Sequence, residues 1–384
     1  MESFPHGVPP RAKELGVAQP QSHTPRSHST LRDVAAAAGV SVATASRVLS
    51  GSPATSAASR EAVTAAAAQL DFRPNVQARA LRSSRTGSIG LLIPDIRNPH
   101  FADLAHAVER HARERGLVTL ISAADERLET QEAAVRLLMS HNVDGLIVVP
   151  QGQRDTARGP KALEAVKQAG IPLVLVDRVV SELDVPAVVP DTRGITQAVE
   201  ELLALGHERI ALIAGPTSSS TGRERRHAYE SILGDTGRST VAELVYEGDF
   251  QPGSGRRGIE HLLSLPGARR PSAVIIADGP MAMGAMAALN ERRVRVPEDI
   301  SVVAHDDLEA FRLCNPQLSA IVQDVEAMGA EAVSLLLGRT PSSKGSIVRH
   351  PTHFEKRGSV APYRPSSMSV QSTTRTRREA MTNE

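Results

Sequence analysis

The 384 residues contain one cysteine, Cys314, so neither an intramolecular disulfide nor a multi-cysteine zinc site can form. Its apolar and prolyl neighbours mark it as a small core filler rather than a reactive thiol. There is no run of eighteen apolar residues to cross a bilayer, and "MESFPHGVPPRAKELG" lacks the apolar stretch that follows the positive residues of a secretory signal. A soluble cytoplasmic protein is the expectation. No "GxxxxGK[ST]" loop cradles a phosphate, and the run "GPTSSSTG" lacks the lysine. His106 and His111 are five apart, which does not put both on one helix face, and "GHERI" has no second histidine, so no metal site emerges. Scattered serines, histidines and aspartates identify no triad. These absences point away from an enzyme and from any cofactor.

With 41% apolar residues the chain can bury a large core, and its length suggests two or three domains. Net charge is +1, but residues 1 to 86 carry ten Lys/Arg against five Asp/Glu while the remainder carries 34 against 38. A basic front suits an anionic partner and equally suits a solvated surface.

The most regular pattern of the first quarter is "STLRDVAAAAGVSVATASRVLSG", residues 29 to 51. Leu31, Val34, Ala35 and Ala38 share one helix face, with Thr30 and Asp33 spaced as a capping box. Gly39 suits a left-handed helix end, Val40 is an apolar plug, and Ser41 caps a second helix whose inner face is Ala45, Val48 and Leu49. After "GSPATS" a third helix is predicted, capped by Ser59 and striped by Val63, Ala66, Ala67 and Leu70. Two helices three residues apart cross steeply, and alanines let their backbones approach. The outer face of the second helix then holds Ala43, Thr44, Ser46, Arg47 and Ser50, groups able to reach phosphates and base edges in a major groove. This is the pattern of a helix-turn-helix; a plain helical hairpin with a polar face is the other reading.

In "RPNVQARALRSSRTGSIG", residues 73 to 90, Asn75 to Arg82 allow about two turns of helix, too short to stand alone. Held on DNA, Arg79, Arg82 and Arg85 would neutralise phosphates and Leu81 would wedge between base steps in the minor groove; a basic linker is the alternative.

Farther on, β-branched apolar runs at 88 to 94, 117 to 123, 143 to 150, 171 to 177 and 209 to 215 alternate with amphipathic segments such as "PHFADLAHAVERHARERG". Alternation means parallel sheets, and the cycle restarts near "DTRGITQAVEELLALGHERIALIAG", giving two doubly wound lobes with a cleft at the strands' carboxyl ends. The candidates for binding a small-molecule effector there are His100, Phe101, Asp177, Arg178, Asp191, Arg225, Asp278 and Asp306, with Asn98 beside the first strand. Phe101 suits stacking on a ring or covering the core; Asp177 and Arg225 suit polar ligand groups or internal pairing.

"LRDVAAAAGVSVATASRVLSG", "FRPNVQARALR" and "GSIGLLIPDIRNPHF", in that order and spacing, resemble the lactose-repressor family of bacterial transcription regulators, a likeness extending to about residue 358. The resemblance implies a small all-α helix-turn-helix domain joined by a hinge helix to an α/β two-lobed core like periplasmic sugar-binding proteins. It also implies a homodimer on a near-palindromic double-stranded DNA operator, and no membrane. Residues 29 to 73 would be the reader, 74 to 86 the hinge, and 87 to 360 the effector-binding and dimerisation core, with polar tails at 1 to 28 and 361 to 384. Lobe one would take about 87 to 189 plus 315 to 324, and lobe two 190 to 314 plus 325 to 360.

By resemblance the DNA-facing set is Thr30, Ser41, Val42, Ala43, Thr44, Ser46 and Arg47, then Asn75, Ala78, Arg79, Leu81 and Arg82. Val42 and Ala43 fall where members vary to choose bases, and Leu81 matches the intercalating leucine. Ala45 stands for the usual valine, Ser50 for asparagine, Ala228 for glycine and His305 for an aromatic. Members commonly carry an effector-binding aspartate at the position of Gly279, so a cleft for a sugar or related metabolite has here changed its ligand, uses Asp278 instead, or binds nothing.

Overall fold

The computed structural model describes residues 29–49, 54–72, 86–151, 160–338 and 345–364. The chain divides into two compact units, Met1–Arg82 and Ser83–Glu384.

In the first unit, α1 (Leu31–Ala37), α2 (Val42–Leu49) and α3 (Ala57–Gln69) pack around Val34, Ala35, Ala45, Val63 and Ala66. The capping box at the start of α1 is complete: the Asp33 amide donates to the Thr30 side chain, and the Asp33 carboxylate accepts from the Thr30 amide at 2.7 Å. Gly39 takes φ +64° and turns the chain. The Thr44 amide donates to Ser41 Oγ at 3.1 Å, so Ser41 caps α2. The cap of α3 is Ser56, not Ser59: the Ser59 amide donates to Ser56 Oγ at 3.1 Å, because the helix begins nearly two turns before Val63, the first residue of its apolar stripe. Thr30→Ala removes the box at α1 and should lower the stability of this unit by about 1 kcal/mol, read from its thermal transition.

The second unit holds two six-stranded sheets. Lobe one orders its strands β11-β5-β4-β3-β1-β2, all parallel, from β1 (Ser88–Ile93), β2 (Val118–Ala123), β3 (Leu146–Val148), β4 (Leu173–Val176), β5 (Ala187–Pro190) and β11 (Ile347–His350). Helices α4 (Pro99–Arg113) and α12 (Val325–Leu336) cover one face; α5 (Leu128–Ser140) and α6 (Lys161–Gln168) cover the other. Lobe two orders β12-β10-β9-β8-β6-β7, from β6 (Ile210–Ala214), β7 (Val245–Glu247), β8 (Ala273–Ile276), β9 (Ser301–His305), β10 (Ser319–Gln323) and β12 (Thr352–Glu355), with only β12 antiparallel. Here α9 (Pro252–Ser264), α10 (Gly279–Glu291) and α11 (Glu309–Leu313) lie on one face, and α7 (Arg193–Ala204) and α8 (Ser220–Asp235) on the other. Runs such as LVLV and IALIA are fully buried because helices cover both sheet faces.

The late crossovers correct the expected lobe boundaries. Residues 319–323 form β10 inside the sheet of lobe two, whereas α12 packs on α4, β4 and β5 of lobe one and β11 extends that lobe's sheet. β12 and the residues that follow it, with Val360 in the core, return to lobe two. The physical reason is pairing: β10 runs parallel to β9, with Ser319 opposite Val303.

Candidate functional site

Two sites were expected, and each is described within its own unit. In the first, α2 turns Ala45 inward, fully buried, and leaves Ser41, Val42, Ala43 and Arg47 exposed with Thr44 and Ser46 partly so. Thr30 is exposed at the start of α1. The face that sequence assigned to DNA is therefore the solvent face of this unit. Val42 is an exposed apolar side chain beside the exposed Ala43. Asn75, Ala78, Arg79, Leu81 and Arg82, with Ser50 and Arg85, lie outside the described residues.

The second site is the cleft between the lobes, built where strands end. Asp177 after β4, Asp306 after β9, Phe250 after β7 and the pair Asp125 and Glu126 after β2 all take positive φ, from +50° to +66°. A side-chain residue there is strained, and such strain concentrates at binding sites. His100 comes from the first turn of α4, where Asn98 caps the helix and Pro99 opens it; the His100 amide donates to Asn98 Oδ1 at 3.1 Å.

The buried charges interlock across the lobes. His100 Nε2 lies 3.5 Å from Asp177 Oδ1 in lobe one, and its Nδ1 lies 3.5 Å from Asp306 Oδ1 in lobe two. Asp306 also accepts from Gln323 Nε2 at 2.6 Å, from His305 Nδ1 at 3.0 Å and from the Gly279 amide at 3.3 Å. Arg178 forms a bidentate pair with Glu126, at 2.8 and 2.9 Å. Arg225 donates to the Ala277 carbonyl at 2.7 Å, and the Val179 amide donates across the cleft to Ser220 Oγ at 3.0 Å.

Titration follows these neighbours. Burial works against the His100 imidazolium, but Asp306 and Asp177 outweigh it and its pKa is raised. Burial would lift the Asp306 carboxyl, but His100, His305 and Arg225 hold it well below the usual range. Burial, reinforced by Asp306, pushes Asp278 well above the usual carboxylate range. His305 is driven down to about 4, chiefly by burial and then by Arg225. Between roughly pH 6.5 and 4 the unfolded chain binds a proton at this position and the folded one does not, so acidification through that window favours unfolding. His305→Gln should flatten that part of the core's stability curve, measured by urea unfolding at stepped pH; an unchanged slope would contradict this assignment.

Six of the eight effector candidates, His100, Asp177, Arg178, Arg225, Asp278 and Asp306, meet in this network, and Phe101 stands at its edge. Phe101 belongs to the lobe-one core and turns its ring edge-on to His100 at 5.0 Å. Asp191 does not join them. Its amide donates to the His350 carbonyl at 2.8 Å, and its carboxylate accepts from the Thr352 amide at 2.8 Å and from Arg193, so it ties two interlobe crossovers together. It sits between β5 and α7, where the chain passes from lobe one to lobe two.

Asp278 caps α10, accepting from the Met281 amide at 2.9 Å. A Cβ at Gly279 would stand 2.8 Å from Leu308 Cδ1, so a side chain there requires the end of Leu308 to move aside. Sequence reasoning missed Glu126, Phe250 and Gln323. Glu126 and Phe250 lie in the polar turns "ADER" and "GDF" that follow β2 and β7, the same strand-end position as Asp177 and Asp306. No cluster of three or more His, Cys, Asp or Glu side chains able to hold a metal ion exists among the described residues, and no helix among them is long and apolar enough to cross a membrane.

The first unit has the three-helix arrangement of a helix-turn-helix, and the second is a two-lobed α/β core with a charged cleft between its lobes. Residues 30–75 match the bacterial regulatory proteins, lacI family, and residues 199–360 match the periplasmic binding protein-like domain. The chain is 34% identical over 345 residues to the HTH-type transcriptional repressor PurR of Erwinia tasmaniensis, covering 88% of this chain and 98% of that protein. The PurR of Escherichia coli is 33% identical over the same shares. A crystal structure of the lac repressor dimer bound to operator and an anti-inducer aligns with TM-score 0.75 at 31% identity, over 87% of this chain and 99% of that one. The CelR regulator in complex with cellobiose aligns with TM-score 0.64 at 31% identity, over 86% and 100%. The chain belongs to the lacI family of bacterial regulatory proteins.

Proposed function

We propose that this chain is a cytoplasmic transcriptional repressor, not an enzyme, which binds a near-palindromic operator as a homodimer and adjusts its grip through a small molecule in the interlobe cleft. The observation that carries the DNA half is the exposed face from Ser41 to Arg47 on a helix whose only buried residue is Ala45. The similar lac repressor, seen as a dimer on operator, supports the assembly. Thr30, Ser41, Thr44, Ser46 and Arg47 take phosphate and base contacts in this reading, and Val42 and Ala43 choose bases. Asn75, Ala78, Arg79, Leu81 and Arg82 extend the proposal from sequence alone, with Leu81 in the minor groove.

The effector half rests on His100, Asp177, Arg225, Asp278 and Asp306, buried polar groups contributed by both lobes to one cleft. A ligand bridging them would change the angle between lobes and so the spacing of the two DNA readers. Selecting bound fragments from genomic DNA with the purified full-length protein tests the proposal. Two inverted half-sites about 34 Å apart are expected, and recovery of random sequence would overturn it.

A further inference from the structure

Arg178 is a strand-end residue whose side chain points into the cleft and stays there, only 4% exposed. Its guanidinium carbon lies 5.6 Å from the centre of the Phe101 ring in lobe one and 4.8 Å from the centre of the Phe250 ring in lobe two. Glu126 grips the guanidinium edge through two parallel hydrogen bonds, fixing its plane and position. A cation this close to an aromatic face is attracted to it, more strongly where water is excluded. Immediately next along the chain, the Val179 amide bonds to Ser220 in the opposite lobe. One residue thus presents a flat, charged, hydrogen-bonded group between two aromatic rings on facing lobes, the arrangement by which a cleft holds a planar ligand.

We infer that Arg178 is an internal ligand: its guanidinium, anchored by Glu126, joins lobe one to the Phe250 face of lobe two and holds the cleft closed. A tethered group loses no translational freedom on binding, so it outcompetes a free molecule of the same chemistry. A small molecule that enters between the rings must displace it, and the response to such a molecule is a loosening of the lobes rather than their first closure. This regulatory meaning rests on the effector reading above; the structural step does not.

Hydrogen exchange on the full-length protein tests it, because the Val179 amide reports directly on the bond across the cleft. Peptides covering residues 177–184 and 216–224 should exchange slowly in the wild type with no added small molecule. In Arg178→Gly they should exchange about tenfold faster, and millimolar ethylguanidinium should restore the slow rate. Ethylammonium, which has the charge but not the plane, should not. If Arg178→Gly fails to fold, Arg178→Lys carries the test, since it keeps a cation for Glu126 and loses the flat face; it too should exchange faster. Wild-type protection in either variant, or no recovery with ethylguanidinium in the glycine variant, would overturn the inference. Operator binding is measured on the same samples. Loss of protection and its chemical rescue in a protein that prefers no duplex would sink the DNA reading and leave Arg178 as the internal ligand.

Discussion

An Ala45→Asp variant should lose operator binding entirely while its two-lobed core melts as the wild type does. Ala45 is fully buried in a small apolar core with Val34, Ala35, Val63 and Ala66, against which only further hydrophobic side chains pack. A domain of about 45 residues has roughly 2 to 7 kcal/mol of stability, and an unpaired buried carboxylate costs several kcal/mol. The unit therefore unfolds. Because residues 83–384 form a separate compact unit, their transition should remain. Fluorescence anisotropy with an operator duplex and a thermal scan by circular dichroism check both halves. Binding within tenfold of wild type would mean that α2 is not held as described.

The second large effect is in lobe two. Gly284 in α10 and Gly255 in α9 let these two helices touch backbone to backbone: a Cβ at Gly284 would lie 1.9 Å from the Pro252 carbonyl oxygen, and one at Gly255 would lie 1.9 Å from that of Met281. A backbone carbonyl cannot rotate aside as a side chain can. Gly284→Val should therefore force the helices apart at a cost of about 3 kcal/mol, lowering the melting temperature of the core by about 6 to 12 °C. Calorimetry on the full-length protein reads it, and a shift under about 2 °C would show that the helices separate freely.

Local structure was legible wherever spacing and caps spoke together. Thr30 and Asp33 form the expected box, Gly39 turns the chain with positive φ, and Ser41 caps α2. Ser56 caps α3 in place of the expected Ser59 because the helix begins nearly two turns before Val63, the first residue of its apolar stripe, and composition does not choose between the two serines. The five apolar runs became β1, β2, β3, β4 and β6; in β1, β3, β4 and β6 burial on both faces writes itself as continuous apolar sequence, whereas β2 is an edge strand whose Val118 and Ile121 are exposed. Two of the last three strands fall in the lobe opposite to the expected one, "SAIVQ" in lobe two and "IVRH" in lobe one, while "THFE" joins lobe two as expected. Each carries its own β pattern but no mark of which sheet it joins, and the pairing is decided by neighbours far away in sequence.

The cleft was legible as a collection of charged strand ends but not as a circuit. That His100 would lie between Asp177 and Asp306, from opposite lobes, depends on the closure of the two sheets. Asp191 looked like its companions because it too follows a strand; its Thr352 partner is 161 residues away. Gly279 stands where the family resemblance places an aspartate, and Leu308 and Asp306 border that position. The aromatic pair around Arg178 was half visible, with Phe101 recognised and Phe250 hidden in an unremarkable turn.

The central claim is that residues 30 to 82 read duplex DNA through cationic and short polar groups. Its most direct test is the salt dependence of binding by the purified full-length protein to a selected operator and to random duplex. Phosphate contacts release counterions, so the logarithm of the binding constant should fall linearly with the logarithm of salt, with a slope of about −5 to −10 for a dimer, and the operator should hold at least about a thousandfold more tightly. A slope near zero, or equal affinity for both duplexes, would contradict the account.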